Sequence, residues 1–270
     1  MKTVNSEQSS VIRLRQRIVT PITILIILIV SIGIASAQLT AKANHDHIKI
    51  DFFYHGSTVS VSGVTDPGTD LIIKIASPEG HEKLKQKGKV GGILWMNVGT
   101  RKFENVPNLY SVHSTRKLND MISRDELDKY VIGYPALAKH ATIEPAVNAE
   151  EKARWFDEFI KYKEMSKLYT TTDGRIEMQE KDDKQSYYIL TQWPYQAPPG
   201  DYIVTVYAVK DGKVVDQAES RVQVEQAGLV KTLAVMAKNN AALYGVISII
   251  SALGAGFGVG LVFRKGGGAH

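Results

Sequence analysis

The chain has 270 residues, 33 of them basic and 28 acidic, with a formal net charge of +5 and no cysteine. That composition excludes disulfides, thiol nucleophiles, cysteine-ligated zinc and an acylated lipoprotein cysteine. Lys2, Arg13, Arg15 and Arg17 against Glu7 put three of the five net charges before residue 38, so no concentrated basic face points to nucleic acid.

Residues 1–37 read as a secretory signal. A basic start leads into an apolar run from Ile18 to Ile34, and Ala35-Ser36-Ala37 supplies the small residues that a signal peptidase reads. Cleavage would leave Gln38 first. An uncleaved anchor is the alternative, because ~17 apolar residues is the lower limit of a span.

From His47 the hydrophobic period is two. Ile48, Ile50 and Phe52 alternate with polar neighbours, as do Val59 and Val61, and Leu71-Ile72-Ile73-Lys74-Ile75 reads as a buried strand after the Asp66-Pro67-Gly68 turn. Lys83, Lys85, Lys87 and Lys89 then alternate ahead of Ile93-Leu94-Trp95-Met96-Asn97-Val98. On a strand the four lysines share one face, which marks a protected edge or meets an anionic lipid headgroup or small anion. Trp95 and Asn97 also share a face; Trp95 is expected in the core, and a binding platform is the other reading.

The period becomes helical after Leu118. Ser123 with Glu126, and Asn148 with Glu151, have capping-box spacing. In the second of these helices Trp155, Phe156, Phe159, Ile160 and Tyr162 form an apolar stripe expected to pack on a sheet. Strands then resume: residues 175–179 and 186–192 look like one pair, and residues 202–209 and 213–224 a hairpin closed by Asp211-Gly212. Gly200-Asp201-Tyr202 has the spacing of a tyrosine corner.

Residues 227–238 carry Leu229, Val230, Leu233 and Met236 on one helical face, suited to lying on a bilayer. Residues 239–263 contain no charge and are long enough to cross ~30 Å of hydrocarbon. Arg264 and Lys265 directly after them place the tail, 264–270, in the cytoplasm and the main domain outside it. Gly254 with Gly258, and Gly256 with Gly260, repeat the small-xxx-small spacing of packed membrane helices.

The expected fold is therefore mainly β: an immunoglobulin-like β-sandwich over residues 38–226 with a helical insertion at about 118–170, plus a single C-terminal transmembrane helix. Two separate small β domains are the alternative.

The order of features resembles the transmembrane protein family first defined in alphaproteobacteria (Alph_Pro_TM). The residues that carry the resemblance are Gly92-Ile93-Leu94-Trp95-Met96-Asn97, Pro107-Asn108-Leu109-Tyr110, Ser114-Thr115-Arg116-Lys117-Leu118, Leu168-Tyr169, Pro199-Gly200-Asp201-Tyr202, Asp211-Gly212-Lys213-Val214-Val215 and Leu243-Tyr244-Gly245. The resemblance implies an exported domain on one C-terminal membrane helix. Family genes often stand beside TauE/SafE-type sulfite exporters, which implies a transport accessory role at the inner membrane.

No catalytic set stands out. There is no Gly-x-Ser-x-Gly elbow, and Ser111, His113 and a later aspartate form a triad only if the fold assembles them. His45 and His47, flanking Asp46, have metal-ligand spacing on a strand, with His55 the nearest third candidate, although solvated histidines near a chain end are the plainer reading. The reading is a non-enzymatic, cofactor-free, membrane-anchored accessory protein that meets the bilayer and either a polytopic transporter or a second copy through its helix. A module binding a small anion or metal is the alternative.

Overall fold

The computed structural model describes residues 39–44, 47–146, 148–181 and 184–264. The expected signal segment, 1–37, lies outside them. In chain order the first strands are β1 (Lys42–Ala43), β2 (His47–Ile50), β3 (Ser57–Thr65), β4 (Asp70–Ala76), β5 (Glu79–Val90), β6 (Leu94–Pro107) and β7 (Tyr110–Ser114). Helices α1 (Leu118–Met121), α2 (Arg124–Lys129) and α3 (Tyr134–His140) follow, then β8 (Thr142–Glu144) and the long helix α4 (Ala149–Met165). The chain continues through β9 (Tyr169–Asp173), β10 (Glu177–Lys181), β11 (Lys184–Trp193), β12 (Gly200–Lys210) and β13 (Lys213–Gln226). Two helices close it, α5 (Gly228–Asn239) and α6 (Ala241–Arg264).

The strands form three sheets, in the orders β1-β3-β11-β10, β2-β13-β12-β4-β7-β9 and β5-β6-β8. The centre of the six-stranded sheet, β4 and β12, is buried on both faces, which explains why these strands read as nearly continuous apolar runs rather than alternating ones. In β4, Leu71, Ile73 and Ile75 enter a cluster shared with Val59, Val61, Tyr187 and Ile189 of the four-stranded sheet. Ile72, between them, joins a second cluster with Phe103, Val112, Leu137 and Phe159. In β12, Val204 and Val206 belong to the first cluster, and Tyr207 and Val209 to the second.

The β12–β13 hairpin turns at Asp211 and Gly212, both with positive φ (51° and 78°), the geometry that an Asp-Gly pair adopts in a primed turn. At the start of β12, Tyr202 donates its hydroxyl to the Pro198 carbonyl and sets its ring edge-on to buried Trp193, centroids 4.7 Å apart.

Both helix caps form. Glu126 N donates to Ser123 Oγ, and Glu151 N donates to Asn148 Oδ1 at 2.8 Å. The Glu126 carboxylate accepts instead from Val214 N at 3.0 Å, tying α2 to β13. On α4 the buried positions are Phe156, Phe159, Ile160 and Lys163. The expected stripe is corrected at its end: Tyr162 faces solvent, because the helical period carries the face of Phe156, Phe159 and Ile160 on to position 163. Phe52 is a second correction; β2 ends at Ile50, and Phe52 and Phe53 project into solvent, stacked edge to face at 5.3 Å.

Beyond β13, α5 buries no residue and Asn240 breaks the helix before α6. Within α6, Ala241–Leu261 is 21 residues long with a mean hydropathy of 1.8 and none of it buried, long and apolar enough to cross a membrane.

Candidate functional site

The hairpin of β5 and β6 divides into a fixed base and a free arm. At the base Phe103 stacks on Phe159 with centroids 4.5 Å apart, and β8 pairs with Lys102, Phe103 and Glu104. Arg101 reaches Glu151 at 3.1 Å and lies 4.8 Å over the Trp155 ring. Past Arg101 β8 pairs no further with β6, and among the described residues the strands run on to the turn with Leu94–Val98 exposed. Gly91 and Gly92 make that turn with φ of 61° and 77°, values that a side chain would disfavour.

One face of the arm is cationic and aromatic. Lys87 lies opposite Asn97 and Lys89 opposite Trp95, so all four side chains share a face with Lys83 and Lys85. The Lys89 ammonium stands 5.4 Å from the Trp95 ring centroid. The other face is apolar. Gln86 pairs with Gly99 and Lys87 with Asn97, leaving Val98 as a bulged residue whose methyls lie over Gly88, where a Cβ would meet Cγ2 at 2.8 Å. Val90, Leu94, Met96 and Val98 are exposed, and Ile93 at the turn is 89% exposed.

Trp95 is accordingly not the core residue that its sequence suggests; it is 64% exposed. Its strand is longer than the sheet that flanks it. β5 is an edge strand of its sheet, as the lysine alternation implies.

A second site lies between β7 and β9 of the six-stranded sheet and β11 of the four-stranded one. A cleft of about 600 Å³ is lined by His55, His113, Lys167, Thr170, Thr172, Arg175, Gln192 and Trp193, among others. Of the lining residues, His113 is hydrogen-bonded through Nδ1 to Thr172 Oγ1 at 2.6 Å, and through Nε2 to Ser111 Oγ, outside the lining, at 2.8 Å. Burial, with a smaller contribution from the Arg175 charge, pushes the imidazole down to about 4. The arrangement orients a neutral imidazole against a serine but sets a hydroxyl where a triad has its carboxylate. The nearby aspartate, Asp173, accepts from Ser114 Oγ at 3.0 Å instead. Sequence spacing flagged Ser111 and His113; the pairing with Thr172 depends on the parallel register of β7 and β9, which no local signal announces.

The other predicted residues are scattered. His47 pairs with Glu225 at 2.9 Å, His45 lies outside the described residues, and His55 belongs to the cleft. Among the described residues no group of three or more His, Asp or Glu side chains is placed to hold a metal ion. Gly254, Gly256, Gly258 and Gly260 all lie on α6, and a Cβ added at any of them would meet nothing within 4 Å.

A folded, mostly β domain followed by one apolar helix of spanning length defines a membrane protein with a single candidate C-terminal transmembrane helix. The chain belongs to the family described as "Putative transmembrane protein (Alph_Pro_TM)", whose model matches residues 38–265. Comparison with curated proteins gave no match.

Proposed function

We propose that this protein is a non-enzymatic interaction module, held by α6 in the cell membrane with its β domain outside the cytoplasm and its C-terminus inside. The observation that carries this reading is the combination of an uncovered apolar helix with a folded domain bearing a long exposed arm. Arg264, on the last turn of α6, and Lys265 after it support the cytoplasmic placement of the tail. The strand orders support an immunoglobulin-like domain. β1-β3-β11-β10 corresponds to the A-B-E-D sheet and β13-β12-β4-β7 to G-F-C-C′, with the β5–β6 hairpin inserted between the last two. The Tyr202 corner belongs to the same pattern.

In this reading the protein is an accessory subunit of a polytopic membrane transporter, the sulfite-exporter type being the one that the family resemblance implies. The glycine faces of α6 offer close approach to a second membrane helix. Crosslinking mass spectrometry on native membranes, with a tag after His270, tests it. A specific polytopic transporter among the crosslinked partners is the expected result. Self-crosslinks alone would refute the accessory role.

One observation favours a second reading, a module that binds a small anion. Lys167 and Arg175 line the cleft beside His113, and its described lining contains no carboxylate. Calorimetry of the full chain in detergent against sulfate and sulfite, with Arg175→Gln as the comparison, decides it; heat that is absent, or unchanged in the variant, removes this reading.

A further inference from the structure

We propose that the free arm of the β5–β6 hairpin inserts its tip into the bilayer that α6 spans, with Ile93, Leu94 and Trp95 in the interface and the lysine row against anionic headgroups. This rests on the membrane-anchored reading above and on nothing about its protein partner.

Composition selects lipid over protein as the occupant. From Lys83 to Thr100 the chain carries four lysines and no acidic residue. None of the four lysines is in an ion pair among the described residues. Protein interfaces are depleted in lysine at their centres. Elements that lie in a membrane interface instead combine lysine with tryptophan and aliphatic residues, the lysine stems running along the apolar surface while the ammonium stays wet. The cross-strand pairing of Lys87 with Asn97 and Lys89 with Trp95 places that combination on one face, and Val90, Leu94, Met96 and Val98 back it with an apolar one.

Topology places the root of the arm at the membrane end of the domain. β13 leaves its sheet at Gln226 for α5 and α6. β12 is antiparallel to β13 and β4 antiparallel to β12, so β4 runs with β13 and ends at Ala76, opposite Ile203 near the start of β12. β5 begins at Glu79, directly after Ser77 and Pro78. β2 runs parallel to β13, and Ala227 N donates to Ile50 O at 2.8 Å, so exposed Phe52 and Phe53 stand at the same end. The arm from Lys83 to Val90 is about 23 Å long. The α5 link of 12 residues spans about 18 Å. The arm is therefore long enough to reach the bilayer even when α5 stands upright.

The absence of cysteine makes the test direct. In the full chain Ile93→Cys is the only thiol, and it takes a nitrobenzoxadiazole probe. The labelled protein is placed in nanodiscs of phosphatidylcholine with about 30% phosphatidylglycerol, which supplies the anionic headgroups that the lysine row would meet, with and without doxyl-labelled lipid. The expected result is a blue-shifted emission quenched by the doxyl lipid. Both effects weaken in pure phosphatidylcholine and in the variant with Lys83, Lys85, Lys87 and Lys89 all changed to Gln, by about fivefold in partitioning per lysine. A probe at Lys210→Cys, at the opposite end of the β12–β13 hairpin, stays aqueous. An aqueous signal from position 93 in both lipids overturns the proposal. So does a blue-shifted signal that doxyl lipid does not quench, which would seat the tip on protein, including a second copy of this chain. Carbonate extraction of the chain from native membranes would overturn the anchored reading itself; retention with an aqueous tip overturns only the insertion.

Discussion

Lys163 on α4 is 1% exposed, and its ammonium is hydrogen-bonded to the Glu82 carboxylate at the root of the β5–β6 hairpin. The ammonium also lies 3.4 Å from the Asn108 carbonyl and between the rings of Phe159 and Tyr169, at 5.5 and 5.6 Å from their centroids. A buried ammonium is tolerated only with a charged partner and supporting acceptors, so this pair fixes the hairpin root to the helical layer. Lys163→Ala leaves Glu82 without its partner and opens a cavity beneath Phe159. It should cost about 3 kcal/mol, read as a lower unfolding midpoint in urea. The double change Lys163→Met with Glu82→Leu should recover most of that loss; if the double variant is as unstable as the single one, the pair is not what holds the root.

His113 should make the fold acid-sensitive in a defined window. Its imidazole is held near pH 4 by burial and then by Arg175, against 6.5 when exposed. Between these values the unfolded chain binds a proton that the folded chain refuses. Stability is therefore complete above about pH 6.5 and declines as pH falls toward 4, by about 3 kcal/mol in all. Thermal melts from pH 8 to pH 4 should show this decline, and His113→Gln should flatten it.

Tyr202→Phe keeps the edge-on contact with Trp193 and removes only the hydroxyl that the Pro198 carbonyl accepts. The corner should lose about 1 kcal/mol, with β12 and β13 intact by circular dichroism. A loss several times larger would mean that the ring has moved as well.

Gly63→Ala probes how closely Thr40, just before β1, approaches β3. A Cβ at Gly63 would stand 1.9 Å from the Thr40 carbonyl oxygen and 2.7 Å from the Tyr187 hydroxyl, which itself donates to that carbonyl. Backbone has to move, so the change should destabilise by about 2–3 kcal/mol, at the upper end of overpacking. Gly68→Ala offers a contrast: its Cβ meets nothing within 4 Å and its φ of 74° brings only local strain, so its cost should be smaller.

Local chemistry alone determined a good part of this protein. Alternation at Val59 and Val61, the Asp211-Gly212 turn, the caps at Ser123 and Asn148, and the charge-free run ending at Arg264 depend on interactions within a few residues, and a one-dimensional pattern records those. The membrane helix is the extreme case, since length and apolarity suffice to mark it. Tertiary structure decided what lies against what. The same apolar residues that fill a core in β4 are left bare in β6, because burial depends on whether a neighbouring layer extends that far, and β8 stops at three residues. Trp95 therefore faces solvent while Trp193, equally hydrophobic, packs against Tyr202. The helical period puts position 163, not 162, on the inner face of α4, and a lysine is tolerated there because a partner charge, Glu82, arrives from a strand 81 positions away. Ser111, His113 and Thr172 met through the parallel register of two strands distant in sequence. Such pairings depend on chain topology, and no spacing within the sequence encodes them.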